Sequence, residues 1–154
     1  MPESLELVDP GSNEAKTAVA AYLEELNERF EEGFDPAEAA ADGEKFGGDK
    51  GRFLVVLKDG QVVGCGGLTL LGDGTAEIKR MWVAKEARGL GLAGRIRRQL
   101  EAWAVELGQD VVRLDTNRAL TNAIEMYRAA GYVDIPRYND NPYAHFWFEK
   151  RLTS

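Results

Sequence analysis

Arg88-Gly89-Leu90-Gly91-Leu92-Ala93-Gly94 is the stretch on which the reading of this chain turns. It runs directly into Leu92, Ile96, Leu100, Trp103 and Leu107, apolar residues at steps of four, four, three and four, and Gly108 follows as a stop. That period belongs to an amphipathic helix whose first-turn amides, having no helical partner, lie at the glycine-rich end. Those amides and the positive end of the helix dipole attract anions, and small residues let a phosphate approach closely. Around the loop stand Lys79, Arg80, Lys85, Arg88, Arg95, Arg97 and Arg98, with Glu86 alone of opposite sign. The stretch predicts a phosphate cradle at the start of a helix.

Two frames fit it. Gly89-Leu90-Gly91-Leu92-Ala93-Gly94 matches the dinucleotide fingerprint G-x-G-x-x-G, and Asp115 follows where a ribose-binding acid would stand. Against this frame, Ala84 to Arg88 separate the first glycine from its strand, and too little chain follows Asp115 to complete a parallel sheet. The second frame takes Arg88, Gly91 and Ala93 as a basic residue followed by small ones at the helix start. Upstream, Phe53 to Leu57 and Val62 to Cys65 flank Asp59-Gly60, a hairpin signal. Gly72-Asp73-Gly74 turns the chain again before Ala76 to Val83. An antiparallel meander of this kind does not suit the dinucleotide fold.

Further out, Leu5 to Val8 reads as a first strand. Ser12 can cap a helix bearing Ala15, Val19, Tyr22, Leu26 and Phe30 at spacings of three and four. Gly33 to Gly48 is broken by Pro36 and glycines around an Ala-rich segment that could form a short helix. Downstream lie a strand at Val111 to Leu114, a helix over 120–130 ending at Gly131, and a last strand over Ala144 to Lys150. The expectation is one domain over 1–154, of mixed α/β class, with helices on both faces of a mostly antiparallel twisted sheet of six to seven strands.

Composition narrows the function classes. The chain has 154 residues, 44% hydrophobic and 29% charged, which suits a soluble globular protein. No apolar run reaches the roughly 20 residues of a membrane span, and the acidic N-terminus lacks the pattern of a secretory signal. A net charge of −7 disfavours nucleic-acid binding. One cysteine, Cys65, and one histidine, His145, exclude an internal disulfide and a His-rich metal site, so no metal is expected. The cytoplasm follows as the expected compartment. Acidic side chains dominate residues 1 to 46, opposite in sign to the basic 79–99 segment, which would suit an anionic ligand at one end and a cationic one at the other.

The loop resembles the coenzyme A-binding signature of the Gcn5-related N-acetyltransferase (GNAT) superfamily. Ala76 to Val83 is similar to the family's central strand, and Asn122-Ala123-Ile124-Glu125-Met126-Tyr127-Arg128-Ala129-Ala130-Gly131-Tyr132 to its later helix, with Asn, Tyr and Gly at family spacing. The resemblance spans residues 76 to 132. It implies a GNAT-like fold and transfer of an acetyl or short acyl group from acetyl-CoA to a primary amine, by direct attack in a ternary complex. It places Arg88, Gly89, Leu90, Gly91, Leu92, Ala93 and Gly94 on the cofactor's phosphates. The backbone of Met81, Trp82 and Val83 falls on its pantetheine arm and acyl oxygen, and Asn122 on the arm or at the helix start.

By the same resemblance Tyr127 protonates the departing thiolate, and Glu77 or a water chain takes the amine's proton. The acceptor, a small-molecule or peptide amine, would meet Phe30, Glu31, Glu32, Phe34 and Asp35, then Tyr138, Asn139, Asn141 and Tyr143. An acidic, aromatic rim there favours a cationic amine. Dimers are frequent among such proteins, and the aromatic last strand permits one. A non-catalytic acyl-CoA-binding module is the alternative reading. Cys65 reads as a small buried hydrophobe rather than a nucleophile, and His145 as a structural or edge-strand residue, with acceptor contact the alternative.

Overall fold

The computed structural model describes residues 3–30, 33, 46 and 50–152. Its elements are β1 (Ser4–Leu7), α1 (Asn13–Arg29), β2 (Gly51–Lys58), β3 (Gln61–Gly72) and β4 (Thr75–Val83), then a single 3₁₀ turn (Lys85–Ala87). After the turn come α2 (Leu92–Glu106), β5 (Val111–Thr116), α3 (Thr121–Ala129), β6 (Val133–Asp134) and β7 (Phe146–Arg151). Among the described residues the seven strands form one sheet in the order β1-β2-β3-β4-β5-β7-β6. Every neighbouring pair is antiparallel except β4 and β5.

Local chemistry sets the meander. Asp59 and Gly60 both take positive φ, 51° and 78°, which turns β2 into β3 with Lys58 opposite Gln61. Ser12 caps α1 by accepting from the Ala15 amide at 3.2 Å. Helices lie on both faces of the sheet. A Cβ on Gly66 would meet Ile96 and Leu100 of α2, whereas one on Gly67 would meet Phe46. Neighbouring strand residues point to opposite faces, so α2 and Phe46 pack on opposite sides. α2 buries Leu92, Ile96, Leu100 and Ala104. Each fully buried Leu or Ile contributes about 1.5–3 kcal/mol, enough to fix the helix on the sheet.

Two irregularities of β4 position the site. Cys65 pairs with Trp82 and Gly67 with Lys79, so β4 carries one residue more than β3 across this interval. Arg80 sits in that bulge at φ 57°, and the Cys65 thiol donates to its carbonyl oxygen at 3.1 Å. On the other side β4 pairs with β5 at Thr75–Val111, Ala76–Val112 and Glu77–Arg113 only. Beyond Glu77 the two parallel strands have no shared ladder, and the sheet is forked.

The fold class expected from sequence is the one observed, with boundaries moved by a few residues. β3 extends to Gly72, well past Cys65, and β6, two residues paired with Phe148 and Glu149, is too short to show a period. The Ala-rich segment, Glu31, Glu32, Phe34 and Asp35 lie outside the described residues.

Candidate active site

A cleft of about 770 Å³ opens at the fork. One wall is the loop that starts α2. Gly91 is the helix's N-cap residue at φ 75°, and no side chain caps the end. The first helical bond runs from the Arg95 amide to the Gly91 carbonyl at 3.2 Å, which leaves the amides of Leu92, Ala93 and Gly94 ahead of the ladder. A Cβ added to Gly91 would meet nothing within 4 Å, so the space over the loop belongs to no protein atom. A diphosphate fits a cradle of this shape. Arg88, Gly89, Gly91, Leu92, Ala93 and Gly94 all line the cleft; Leu90 is exposed and is not among the lining residues.

The surrounding basic residues are less free than their sequence suggests. Arg88 donates to Glu25 of α1 and, through Nε, to the Val83 carbonyl at 3.2 Å. Arg97 turns inward, gripping Glu101 at 2.9 and 3.0 Å, and Glu101 also accepts from Tyr132 and Lys150. Arg95 reaches the Glu3 carbonyl at 3.3 Å. The open groups of this wall are therefore the helix amides more than a field of unpaired arginines.

Met81, Trp82 and Val83 line the cleft from β4, and Asn122 and Tyr127 line it from α3. Tyr127 is 4% exposed, and its hydroxyl donates to the Met81 sulfur at 3.2 Å. Burial pushes its phenol well above the usual range, and the nearby Tyr22 adds to this while Arg97 opposes it. The hydroxyl is thus a proton donor at neutral pH.

Glu77 has a different position. It belongs to the last paired rung of β4 and β5, is 5% exposed, and is not among the cleft-lining residues. Its Oε2 accepts from the Tyr138 hydroxyl at 2.5 Å, and Lys79 lies 3.7 Å from Oε1. Burial, then the charge of Glu77 and the bond to it, push the Tyr138 phenol up. The Tyr138 ring lies under the Arg113 guanidinium, 5.5 Å from the ring centre. Tyr138 is accordingly drawn toward Glu77 and away from the cleft.

Of the other acceptor residues expected from sequence, Phe30, Asn139, Asn141 and Tyr143 line the cleft, with Phe30 and Tyr143 rings 5.9 Å apart. Sequence reasoning missed Tyr22, Glu25 and Arg29 of α1, which also line it. Tyr22 looked like one more residue of an apolar helical stripe, and its hydroxyl gives no periodic signal. In the sequence Asp115 has a place only in the dinucleotide frame; in the structure it stands at the end of β5, facing the cleft. Cys65 is fully buried, and His145 accepts at Nδ1 from the Arg118 amide at 3.1 Å. Among the described residues no helix is long and apolar enough to cross a membrane.

Among the described residues the sheet is thus forked at its one parallel pair, and the uncapped start of α2 opens at the fork. The model of the acetyltransferase (GNAT) family matches residues 19–132. An uncharacterized N-acetyltransferase of Schizosaccharomyces pombe is 30% identical over 131 residues, 82% of this chain and 79% of that protein. An IAA acetyltransferase of Azospirillum brasilense is 36% identical over 84 residues, 54% of this chain and 55%, about half, of its own length. Among solved structures, a GNAT-family acetyltransferase from Staphylococcus aureus Mu50 superposes with TM-score 0.83 at 17% identity, covering 97% of this chain and 100% of that one. The yncA protein of Salmonella typhimurium, solved with its cofactor acetyl-CoA, does so with TM-score 0.73 at 15% identity, covering 100% and 96%. The chain belongs to the GNAT acetyltransferase family.

Proposed function

We propose that this protein transfers an acetyl or short acyl group from acetyl-CoA to a primary amine within a ternary complex. The observation that carries the reading is the uncapped start of α2, open to the cleft beside Gly91. The acetyl-CoA held by the yncA protein, which shares the fold, supports it. When bound, acetyl-CoA supplies a thioester carbonyl for the amine to attack.

The chain's own groups then divide the work. The amides of Leu92, Ala93 and Gly94 hold the diphosphate, with Arg88, paired to Glu25, at the rim. The β4 backbone at Met81 and Val83, beyond the last rung shared with β5, orients the pantetheine arm and the acyl oxygen; a backbone donor on a developing oxyanion is worth about 10²–10³ in rate. Tyr127 Oη gives its proton to the sulfur as the thiolate leaves. An ammonium must lose a proton before it can attack. With Glu77 held by Tyr138 and Lys79, water in the open cleft is the better path for that proton. A titration of the protein with acetyl-CoA and, separately, with NADH tests the class. Saturable binding of acetyl-CoA alone is the expected result; binding of NADH alone would overturn it. Acetyl-CoA binding with no turnover on any primary amine would mark a regulatory module instead.

A further inference from the structure

Asp115 is the carboxylate around which the acceptor side is built. Its Oδ2 accepts from Asn139 Nδ2 at 2.6 Å and its Oδ1 from Asn141 Nδ2 at 3.1 Å. Neither amide is free to turn over. The Asn139 carbonyl accepts from Trp147 Nε1 at 3.0 Å and from the Asn141 amide at 3.2 Å, and the Asn141 carbonyl accepts from the Tyr143 amide at 3.0 Å. Both side chains are thereby locked with their NH₂ groups on Asp115. A carboxylate offers about four acceptor positions, and here protein groups take two of them.

The two amides carry no charge, and Asp115 forms no ion pair among the described residues. The other carboxylates of the cleft differ: Glu25 is bound to Arg88 and lies 3.7 Å from Arg29, and Asp140 is exposed. A half-buried negative charge held by neutral donors, with two positions left toward a cavity, is matched by a cation bearing N–H groups. The surroundings specify the rest of the ligand. From the Asp115 cup the loop leads through Asn141 to Tyr143, whose ring packs against Phe30, and Tyr22 and Pro142 complete an aromatic and apolar wall. A smaller cavity of about 240 Å³ continues past the Phe30–Tyr143 pair.

Taking the acetyltransferase reading as its basis, we infer that the acceptor is a primary ammonium on an apolar or aromatic body, its nitrogen seated on Asp115. Asp115 here selects and positions the amine. The charged and titratable groups around it are the Tyr22 phenol from α1, the Tyr127 phenol from α3, the Tyr138 phenol from the loop, and Arg80 from β4, which acts on the same Tyr22 phenol.

The test is calorimetry on the full chain saturated with CoA, using 2-phenylethylamine, 2-phenylethanol and 3-phenylpropionate as probes. The amine should bind about tenfold or more tightly than the alcohol, and the acid should not bind measurably. D115N should weaken the amine by about tenfold while leaving the alcohol and CoA within about twofold. A loop displaced by the substitution would instead weaken amine and alcohol alike. Equal binding of all three probes, no binding of the amine, or an amine affinity indifferent to D115N would overturn the inference while leaving CoA binding intact. Failure of CoA itself to bind would remove the reading beneath it. Should D115N not fold, the three-probe comparison on the unaltered protein decides alone.

Discussion

Tyr127 is buried, with its phenol pushed up, yet it still lines the cleft, as the proposed proton donor must. Removing only the hydroxyl separates the two roles. Y127F keeps the ring against Tyr132 and Phe148, so the core is undisturbed. Its turnover should fall by about 10²-fold, within the range for a positioned acid, with acetyl-CoA affinity within about twofold, read by steady-state kinetics and calorimetry. An undiminished kcat would remove Tyr127 from the mechanism. Gly91 makes the complementary case for binding. Alanine at φ 75° costs about 1 kcal/mol of stability, and its methyl group would project into the open space assigned above to the diphosphate in the proposed function. G91A should therefore weaken acetyl-CoA by about tenfold or more while lowering the thermal midpoint only a few degrees. Equal affinity in G91A would mean that the diphosphate lies elsewhere.

At the scale of elements, the close approach of α2 to β3 decides where the cradle sits relative to the fork. Gly66 makes that approach possible: a Cβ there would stand 2.6 Å from Ile96 Cγ2 and 3.0 Å from Leu100 Cδ1. Both contacts are fully buried side chains with little room to yield. G66A is expected to destabilise the protein by about 1–3 kcal/mol in urea denaturation, as overpacked cores do. An unchanged midpoint would show that α2 can lift from the sheet without cost. The bulge at Arg80 works on the neighbouring strand, where one extra residue in β4 re-aims the backbone of Met81 to Val83 along the cleft. Burial pushes the Cys65 thiol up, so it stays a donor to the bulge carbonyl and is poorly suited to attack a thioester.

For the molecule as a whole, buried phenols tie stability to pH. Tyr22, Tyr127, Tyr132, Tyr138 and the Cys65 thiol all have pKa values pushed up, chiefly by burial, from ordinary values of 10.0 for tyrosine and 9.0 for cysteine. A raised value in the folded state means that the unfolded chain releases these protons first. Their contribution is intact below about pH 9 and is lost as pH rises beyond 9 to 10, where only the unfolded chain ionises. Denaturation midpoints should hold between pH 7 and 8.5 and fall progressively from about pH 9 to 11. A flat profile would mean that these groups are wetter than their burial implies. What the sequence determined by itself is local. The period of α2, the Asp59–Gly60 turn, the Ser12 cap and the glycine cradle each follow from residues within a few positions of one another, because turns, caps and helical stripes are short-range matters of φ, hydrogen bonding and side-chain spacing. Which carboxylate faces the cleft is not of that kind. Glu77 and Asp115 both read as acids near a strand end, and their roles separate only because the β4–β5 ladder stops at Glu77–Arg113, leaving one inside the closed sheet and the other beyond the fork. The same holds for Glu101, an acid on a helix surface by pattern but bound by Tyr132 and Lys150, and for Tyr22, apolar in pattern but facing the cleft. Those outcomes depend on pairings between segments tens of residues apart, and only the packed molecule fixes them.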